Sequence, residues 1–490
     1  MNLKTLKNNL FAVAILIIAF RLLTFGINKP FWGHHDWNSV VYSTIARNYV
    51  RYGYFATKFG QVTNQDFQPK NEFGYITHYP PLLPIIISVS FRLFGTTEAA
   101  ARLPIILFSI SLVFFIYLIG KEIHSKLLGL FASATVVFLP IFLYFGKLPV
   151  HDTIVPSVSV LGFWAYIKFI KEKKVMYYYL LIGSLIFGGL INWSAFYLAA
   201  ALAYHQLITK NKTKVRNRIL ALIPLSVIVF TLHLIHIRLL GLQSQSAFSN
   251  FLKRVNPYLT ADLYGFTLLK YIRQEILYFK IYYTLPVFLG SAFFICWGFY
   301  RLKKKKLDYF GGFVSALFIY GIIQLLVFEQ LSFIHDYMIY YLLPFMVLSF
   351  AYAIFIIFDK FKNKVIFPLI LASLLFLILF NQFKYTQTLL ATSVNKRGYK
   401  IAQIIKNNTL SGQKAFVTSN SYKEFQDVFI GYYSDREVDY GEQLPGGFDK
   451  SFKLIIRPKD HDPLDINSKK LLNDKFPRLE DDDFIWYKIN

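Results

Sequence analysis

The residues best suited to chemistry in this sequence are aspartates that directly follow a histidine. A carboxylate can act as a general base, and carboxylate and imidazole groups both bind divalent metal ions. Neighbouring residues seldom bind the same ion, and the spacing here is not diagnostic. We therefore assign no metal ligand and no required cofactor, although the residue types allow a divalent cation. The His-Asp pairs are His35-Asp36, His151-Asp152 and His335-Asp336.

Asp36 and Asp152 each have a structural interpretation beside the chemical one. Asp36 precedes apolar residues at helical spacing in a segment that ends at Gly53, and Asp152 begins an apolar run with Pro156 in its first turn. A carboxylate at either place can cap a helix, because it accepts bonds from the free amides of the first turn. The alternative is that these two acids hold an acceptor, share a proton or bind a cation.

The composition indicates which elements must position these residues. The 490-residue chain is 55% hydrophobic and 19% aromatic, and its mean hydropathy is +0.41. These values are typical of a polytopic membrane protein. Much of the net charge of +25 lies in short loops between apolar runs, so we interpret it as topology and contact with anionic lipids, not nucleic-acid binding. The single cysteine, Cys296, excludes an intrachain disulfide.

Basic stretches fall on alternate connections between the apolar runs, which predicts that these connections are cytoplasmic. The three His-Asp pairs and His78-Tyr79-Pro80-Pro81 lie in the other connections. The sequence therefore predicts that the candidate residues converge on one extracytoplasmic face. The basic stretches are Lys121 with Lys126, and residues 171–174, 210–218, 301–306 and 360–364.

Runs of about 17 to 25 apolar residues can cross a bilayer as helices. The run 82–94 is shorter and begins after paired prolines, so we expect a helix in or near the outer leaflet. The first run follows Lys4 and Lys7 and should remain as a transmembrane helix. We locate about eleven such runs and predict an α-helical membrane domain with about 11 to 13 spans. They lie near 10–27, 103–120, 127–145, 152–170, 176–191, 193–208, 219–240, 281–299, 312–328, 337–358 and 365–381.

The chain becomes polar after the last apolar run. Segments 399–407 and 422–432 have helical patterns, whereas 415–418, 453–456 and 484–489 resemble strands. We expect a transmembrane domain over residues 1–385, with an external loop at 28–102, and a small soluble extracytoplasmic α/β domain over residues 386–490.

Positive charge is scarce on the predicted outer face. The few basic residues there are suited to surface solvation or to binding the phosphate of a lipid-linked donor, since arginine can bond two oxygens at once. They are Lys147, Lys253, Arg254, Lys270 and Arg273.

The order of these motifs resembles the GT-C glycosyltransferases, and in particular the branch with protein O-mannosyltransferases and lipid A aminoarabinose transferase. The resemblance rests on the loop that begins at Asp36-Trp37-Asn38 and on four later motifs, and it covers about residues 10 to 360. The later motifs are His78-Tyr79-Pro80-Pro81, Phe91-Arg92-Leu93-Phe94-Gly95, Ala100-Ala101-Arg102-Leu103-Pro104 and His335-Asp336-Tyr337.

The resemblance implies a polyprenyl-phosphate monosaccharide donor, a lipid, glycan or protein hydroxyl as acceptor, and inverting displacement in a prokaryotic cell membrane. It places the catalytic base on Asp36 and a second catalytic aspartate on Asp152. The family often has Asp-Glu where this chain has Asp36-Trp37, and a lysine before the prolines where this chain has Tyr79. The expected substrate-binding residues are His35, His78, Tyr79, Lys147, His151, Arg254, Arg273, His335 and Asp336.

Two other classes of protein remain open from the sequence. A transporter or flippase for a lipid-linked saccharide would also have many spans, but the matching interrupted segments expected in its two halves are not visible. A non-catalytic membrane scaffold would explain the tail but not the acidic and basic residues gathered on one predicted face.

Overall fold

The computed structural model describes residues 3–64, 73–209, 213–242, 255, 265–304, 309–358, 366–391, 396–418, 427–444, 452–460 and 462–489. The chain divides into two compact units. The first contains residues 1–27, 77–83 and 102–389, and the second contains residues 28–76, 84–101 and 390–490. Most of the segment 28–102 therefore belongs to the same unit as the tail, whereas the sequence analysis placed it with the transmembrane domain.

The first unit consists of helices, as the apolar runs predict. A helix satisfies all its backbone polar groups internally, which a lipid environment requires. Two short 3-10 helices, Trp193–Phe196 and Asp336–Leu342, directly precede longer helices. The α-helices of this unit are α1 (Leu3–Thr24), α4 (Glu98–Ile123), α5 (Lys126–Val137), α6 (Pro140–Phe145), α7 (His151–Glu172), α8 (Val175–Gly189), α9 (Tyr197–Thr209), α10 (Thr213–Leu220), α11 (Leu222–Leu239), α12 (Leu268–Tyr282), α13 (Thr284–Lys303), α14 (Tyr309–Val327), α15 (Glu329–Ile334), α16 (Leu343–Phe358) and α17 (Ile366–Ala391). The first four residues of α4, from Glu98 to Ala101, and the last two of α17 belong to the second unit.

Four helices in the described part of the chain are long and apolar enough to cross a bilayer. Counting α12 and α13 as one span bent by 117° gives five. In the other apolar helices, the described apolar segment is 10 to 17 residues long. Some of the predicted runs are also divided. The run 127–145 divides into α5 and α6 because Pro140 cannot donate the backbone bond that would continue the helix.

Two glycines allow helices α4 and α5 to approach each other closely. A Cβ atom placed on Gly120 would lie 2.6 Å from the Cα atom of Gly129, closer than side chains tolerate. Because neither glycine has a side chain, the two backbones can pack in direct contact.

The second unit contains the tail domain, whose five-stranded sheet has helices on both faces. Its strands are β3 (Lys414–Thr418), β4 (Glu437–Gly441), β5 (Phe452–Pro458), β6 (Arg478–Glu480) and β7 (Phe484–Lys488). They lie in the order β4-β3-β5-β7-β6, with β3 parallel to β4 and β5, and β7 antiparallel to β5 and β6. Helices α18 (Lys396–Asn408) and α19 (Asp427–Ser434) complete one core, and α20 (Ile466–Lys475) contributes to the other.

Strand β3 shows why the tail sheet needs two cores. Ala415 and Val417 face the core that includes α18 and α19, whereas Phe416 faces the opposite core. Successive side chains of a strand point to opposite faces, so an apolar run requires cover on both sides. The helix expected at 399–407 and the three expected strands correspond to α18, β3, β5 and β7. The helix expected at 422–432 corresponds to α19 from Asp427 onward, and residues 422–426 lie outside the described residues. Strands β4 and β6 and helix α20 were not predicted.

The N-terminal part of the second unit begins with α2 (Asp36–Tyr52), followed by the hairpin strands β1 (Gln61–Val62) and β2 (Tyr75–Ile76). Helix α3 (Leu82–Phe94) is 13 residues long. A helix of this length extends roughly 20 Å, less than the hydrocarbon core of about 30 Å. This length agrees with the expectation of a helix that does not cross the membrane.

Candidate functional site

Asp152 lies in the first turn of α7 and is almost fully buried. Its Oδ1 atom accepts a hydrogen bond of 2.7 Å from the Tyr341 hydroxyl and one of 3.3 Å from the Asn192 side-chain amide. A carboxylate at a helix N-terminus is also favoured by the helix dipole. The neighbouring elements thus hold Asp152 in one orientation.

The donors to Asp152 are positioned by the 3-10 helices Trp193–Phe196 and Asp336–Leu342. Asn192 begins the helix Trp193–Phe196, and its Oδ1 accepts a bond of 3.2 Å from the Ser194 amide. This bond leaves the Asn192 side-chain NH2 group to donate to Asp152. The Ser194 hydroxyl also bonds the hydroxyl of Tyr341, which lies in the other 3-10 helix. Asn192 and Tyr341 therefore connect the start of α7 to both 3-10 helices around the carboxylate of Asp152.

A cavity of about 30 Å³ lies next to this carboxylate. This is enough space for about one water molecule. Tyr197 donates a bond of 2.9 Å to Gln324 at its wall. The wall combines a carboxylate, an amide, hydroxyl groups and aromatic rings, which is a suitable lining for a polar reacting group. It is formed by Tyr79, Asp152, Asn192, Trp193, Ser194, Tyr197, Gln324, Phe328 and Leu331.

Two of the residues predicted to bind substrate lie beside Asp152. The ring of Tyr79 lies 4.4 Å from the ring of His151 and 6.3 Å from that of Trp193, measured between centroids. His78 directly precedes Tyr79. Lys147 lies farther along the chain and donates a bond of 2.8 Å from Nζ to the Phe25 carbonyl.

The remaining predicted residues of the first unit that the structure describes are His335, Asp336 and Arg273. Asp336 is buried and accepts a hydrogen bond from the Tyr282 hydroxyl, and the ring of His335 stacks on that of Tyr337 at 5.1 Å. Arg273 is exposed on α12. The predicted residues Lys253 and Arg254 lie outside the described part of the chain.

Glu275, one turn along α12 from Tyr271, was not considered in the sequence analysis. It is 7% exposed, and neither carboxylate oxygen has a hydrogen-bond partner among the described residues. The sequence did contain a signal for Glu275, because it is an acidic residue within an amphipathic helix that also carries lysine and arginine. Buried carboxylates without partners are uncommon, which makes Glu275 an additional candidate.

Asp36 lies in the second unit, at the first residue of α2, and is 7% exposed. Its Oδ2 accepts a bond of 2.8 Å from the Gly33 amide, and its Oδ1 accepts one of 2.9 Å from the Ser39 hydroxyl. The carboxylate therefore connects the loop before α2 to the first turn of that helix. These contacts fix its direction locally, as a general base requires.

His35 occupies the position immediately before α2 in a left-handed conformation, with φ of 61°. Its side chain makes no capping bond to the helix, and its ring lies 3.9 Å from the ring of His34. Residues other than glycine seldom adopt the left-handed conformation, and those that do are often found at functional sites.

Comparison with known proteins finds one family model and several solved structures that resemble this chain. Residues 78–236 match the family model of dolichyl-phosphate-mannose-protein mannosyltransferase. Among curated protein sequences, none matches the chain. The structure of ArnT from Cupriavidus metallidurans bound to undecaprenyl phosphate matches with a TM-score of 0.60 at 13% identity, over 98% of this chain and 97% of that one. These matches show that the chain has the polytopic helical fold of the GT-C type.

The GT-C fold is also found in a second solved protein that resembles this chain. AglB, an oligosaccharyltransferase from Archaeoglobus fulgidus in complex with an inhibitory peptide and a dolichol-phosphate, matches with a TM-score of 0.60 at 14% identity. The match covers 92% of this chain and 70% of AglB. The predicted fold class, a helical membrane protein with a small C-terminal domain, is thereby confirmed.

Proposed function

We propose that this GT-C protein transfers a monosaccharide from a polyprenyl-phosphate donor to the hydroxyl of an extracytoplasmic lipid, glycan or protein. The acceptor oxygen attacks the anomeric carbon with inversion, and the phosphate leaves with the electrons of the glycosidic bond. Asp36 takes the hydroxyl proton, and Asp152 orients the acceptor or its attacking group.

The observation that carries the proposal is the fold match along nearly the whole length of both chains with ArnT, which was solved with undecaprenyl phosphate. AglB was solved with dolichol-phosphate, a second lipid of the polyprenyl-phosphate class. A lipid phosphate is a good leaving group, so this reaction mainly needs a base for the acceptor and positive charge near the phosphate.

The contacts of Asp36 support its assignment as the base. The Gly33 amide and the Ser39 hydroxyl direct its carboxylate from both sides. A base must be held within hydrogen-bond reach of the proton that it removes, and an oriented carboxylate meets this geometric requirement.

The contacts of Asp152 support an orienting role. Tyr341 and Asn192 both donate to the same oxygen, Oδ1, and the carboxylate lies against a small polar cavity. Buried polar networks with satisfied bonds are rigid, and rigid groups can hold a substrate hydroxyl in a reactive geometry. Phosphate contact is proposed for His78 and for the basic group that includes Arg273.

The proposal is tested by incubating the purified protein with radiolabelled polyprenyl-phosphate sugars and measuring transfer of the label to acceptors. Asp36→Asn keeps oxygen and shape but cannot accept the proton, so its transfer rate should fall by a factor of about 10² to 10⁴. Asp439→Asn, an exposed change in the same unit, is the matched control and should be neutral. Near-normal transfer by folded Asp36→Asn would contradict the assignment of the base.

A further inference from the structure

The loop that precedes Asp36 is held by the tail domain. The Phe31 amide donates a bond of 2.6 Å to the Tyr433 hydroxyl, and that hydroxyl donates a bond of 3.0 Å to Glu98 Oε1. Burial raises the pKa of the Tyr433 phenol above its ordinary value. The hydroxyl therefore remains protonated and can make both bonds at once.

Aromatic contacts reinforce this connection one residue closer to Asp36. The ring of Trp32 meets the edge of Tyr399 at 5.4 Å, and Tyr399 meets Tyr433 at 4.8 Å. Perpendicular aromatic pairs at such distances are favourable beyond the area that they bury. Phe31 and Trp32 thus contact α19 and α18. They belong to the loop that leads into Asp36, which we call the catalytic loop.

The far end of α2 is bound by the same part of the tail. Arg51 donates two bonds, of 2.9 and 2.8 Å, to the two oxygens of Asp435, and Arg47 lies 3.2 Å from Asp435 Oδ1. Arg47 also donates a bond of 2.8 Å to the Tyr432 carbonyl. Arg47 and Arg51 are one turn apart, so both reach the same carboxylate from a single face of α2.

Asp435 directly follows α19, where the helix dipole disfavours negative charge. Two guanidinium groups offset this cost, and paired bonds between arginine and a carboxylate have a defined geometry. The result is a directional contact that fixes the rotation of α2 about its axis as well as its position.

We propose that the tail domain is a positioning element for the catalytic loop, and that Tyr433 is its principal positioning residue. Tyr433 does not touch the reacting atoms. By holding Phe31 against Glu98, it sets the path of the chain into Asp36 and so the direction of that carboxylate. This inference rests on the proposed role of Asp36 as the base.

The test is a double-mutant cycle with Tyr433→Phe and Asp36→Asn in the full-length protein, read as kcat for sugar transfer and KM for the donor. A catalytic group displaced by about 1 Å can cost roughly 100-fold in rate. We expect Tyr433→Phe to lower kcat at least about fivefold with donor KM unchanged. In the Asp36→Asn background it should have no further effect, because the base that it positions is absent.

Two further variants separate positioning from general damage to the tail. Tyr487→Phe removes a hydroxyl that bonds Asn473 within the tail domain, and it should leave kcat unchanged. Glu98→Gln keeps an acceptor for Tyr433 and should transfer sugar nearly normally, whereas Glu98→Leu should behave as Tyr433→Phe does. Glu98→Leu also tests the inference if Tyr433→Phe fails to fold.

The outcomes distinguish this inference from the proposed function. If Asp36→Asn is slow but Tyr433→Phe is normal, or if the two losses multiply, positioning by Tyr433 is wrong and the assignment of the base stands. If Asp36→Asn transfers sugar normally, the proposed base and the inference that depends on it both fail. A slow Tyr433→Phe that adds nothing to Asp36→Asn supports both.

Discussion

Replacing Tyr341 with phenylalanine removes one hydroxyl from the Asp152 network and leaves the buried ring in place. The lost bond is 2.7 Å long and is donated to a carboxylate. Hydrogen bonds to charged groups contribute about 1.5 to 3 kcal/mol. Each 1.36 kcal/mol is a factor of about ten in rate, so the full range corresponds to a loss of roughly 10- to 150-fold.

The structure narrows this range, because Asn192 would still donate to the same Asp152 oxygen at 3.3 Å. We therefore expect kcat/KM for sugar transfer to fall by about 10- to 30-fold, in the lower part of the range. The assay is label transfer from a polyprenyl-phosphate sugar. The fraction of folded protein is measured in parallel, since the Ser194 hydroxyl also loses its bond to Tyr341.

The matched control is Tyr340→Phe, in the same 3-10 helix. Tyr340 is equally buried, and its hydroxyl bonds no carboxylate in the described part of the chain. Within an Asp152→Asn background, Tyr341→Phe should cost little more. If Tyr341→Phe stays within about twofold of Tyr340→Phe, the network around Asp152 does not contribute to the reaction and our reasoning is refuted.

Three other predictions concern packing, pH and topology. Gly120→Ala should lower the melting temperature, since overpacking costs about 1 to 3 kcal/mol. Gly183→Ala should not, because nothing lies within 4 Å of its new Cβ atom. Equal melting temperatures for the two variants would contradict the close approach of α4 and α5. Burial alone would raise the pKa of the Asp435 carboxyl, but the neighbouring arginines outweigh this effect and hold it below its ordinary value. Its stabilising contribution is therefore complete above the ordinary aspartate pKa of about 3.9 and is lost as the pH falls through the lower, folded value. The melting-temperature advantage over Asp435→Asn should accordingly be constant above about pH 4 and shrink as the pH falls below it. A difference that stays constant in acid would disprove the ion pair. Lys303→Cys in a Cys296→Ser background should not react with a membrane-impermeant thiol reagent added outside cells, because the basic stretch 301–306 is predicted to be cytoplasmic. Labelling at this position would contradict the proposed topology.

The sequence predicted the helical membrane fold because lipid imposes a simple requirement on composition. A long apolar run in lipid must satisfy its backbone polar groups internally, so runs separated by basic loops predict a bundle of helices. It did not predict where the runs would divide. Pro140 was visible, but whether a proline bends, breaks or begins a helix depends on the packing around the freed backbone groups.

The sequence also drew attention to Asp36 and Asp152 through their residue type and their place before apolar runs. It did not reveal the groups that hold them. Asn192 and Ser194 are a brief polar interruption between two apolar runs, and their significance appears only when Tyr341, far along the chain, lies against them.

The tail illustrates the same division between sequence and tertiary structure. Alternation of apolar residues was sufficient to predict three strands of the tail, but not that the tail forms one compact unit with residues 28–76 and 84–101. The bond between Phe31 and Tyr433 joins residues 402 positions apart, and local propensity carries no information about such a pair. Backbone preferences and apolar periodicity act between neighbours in sequence, so they determined which elements form. Which distant side chains meet depends on how those elements pack, and only the tertiary structure decided that.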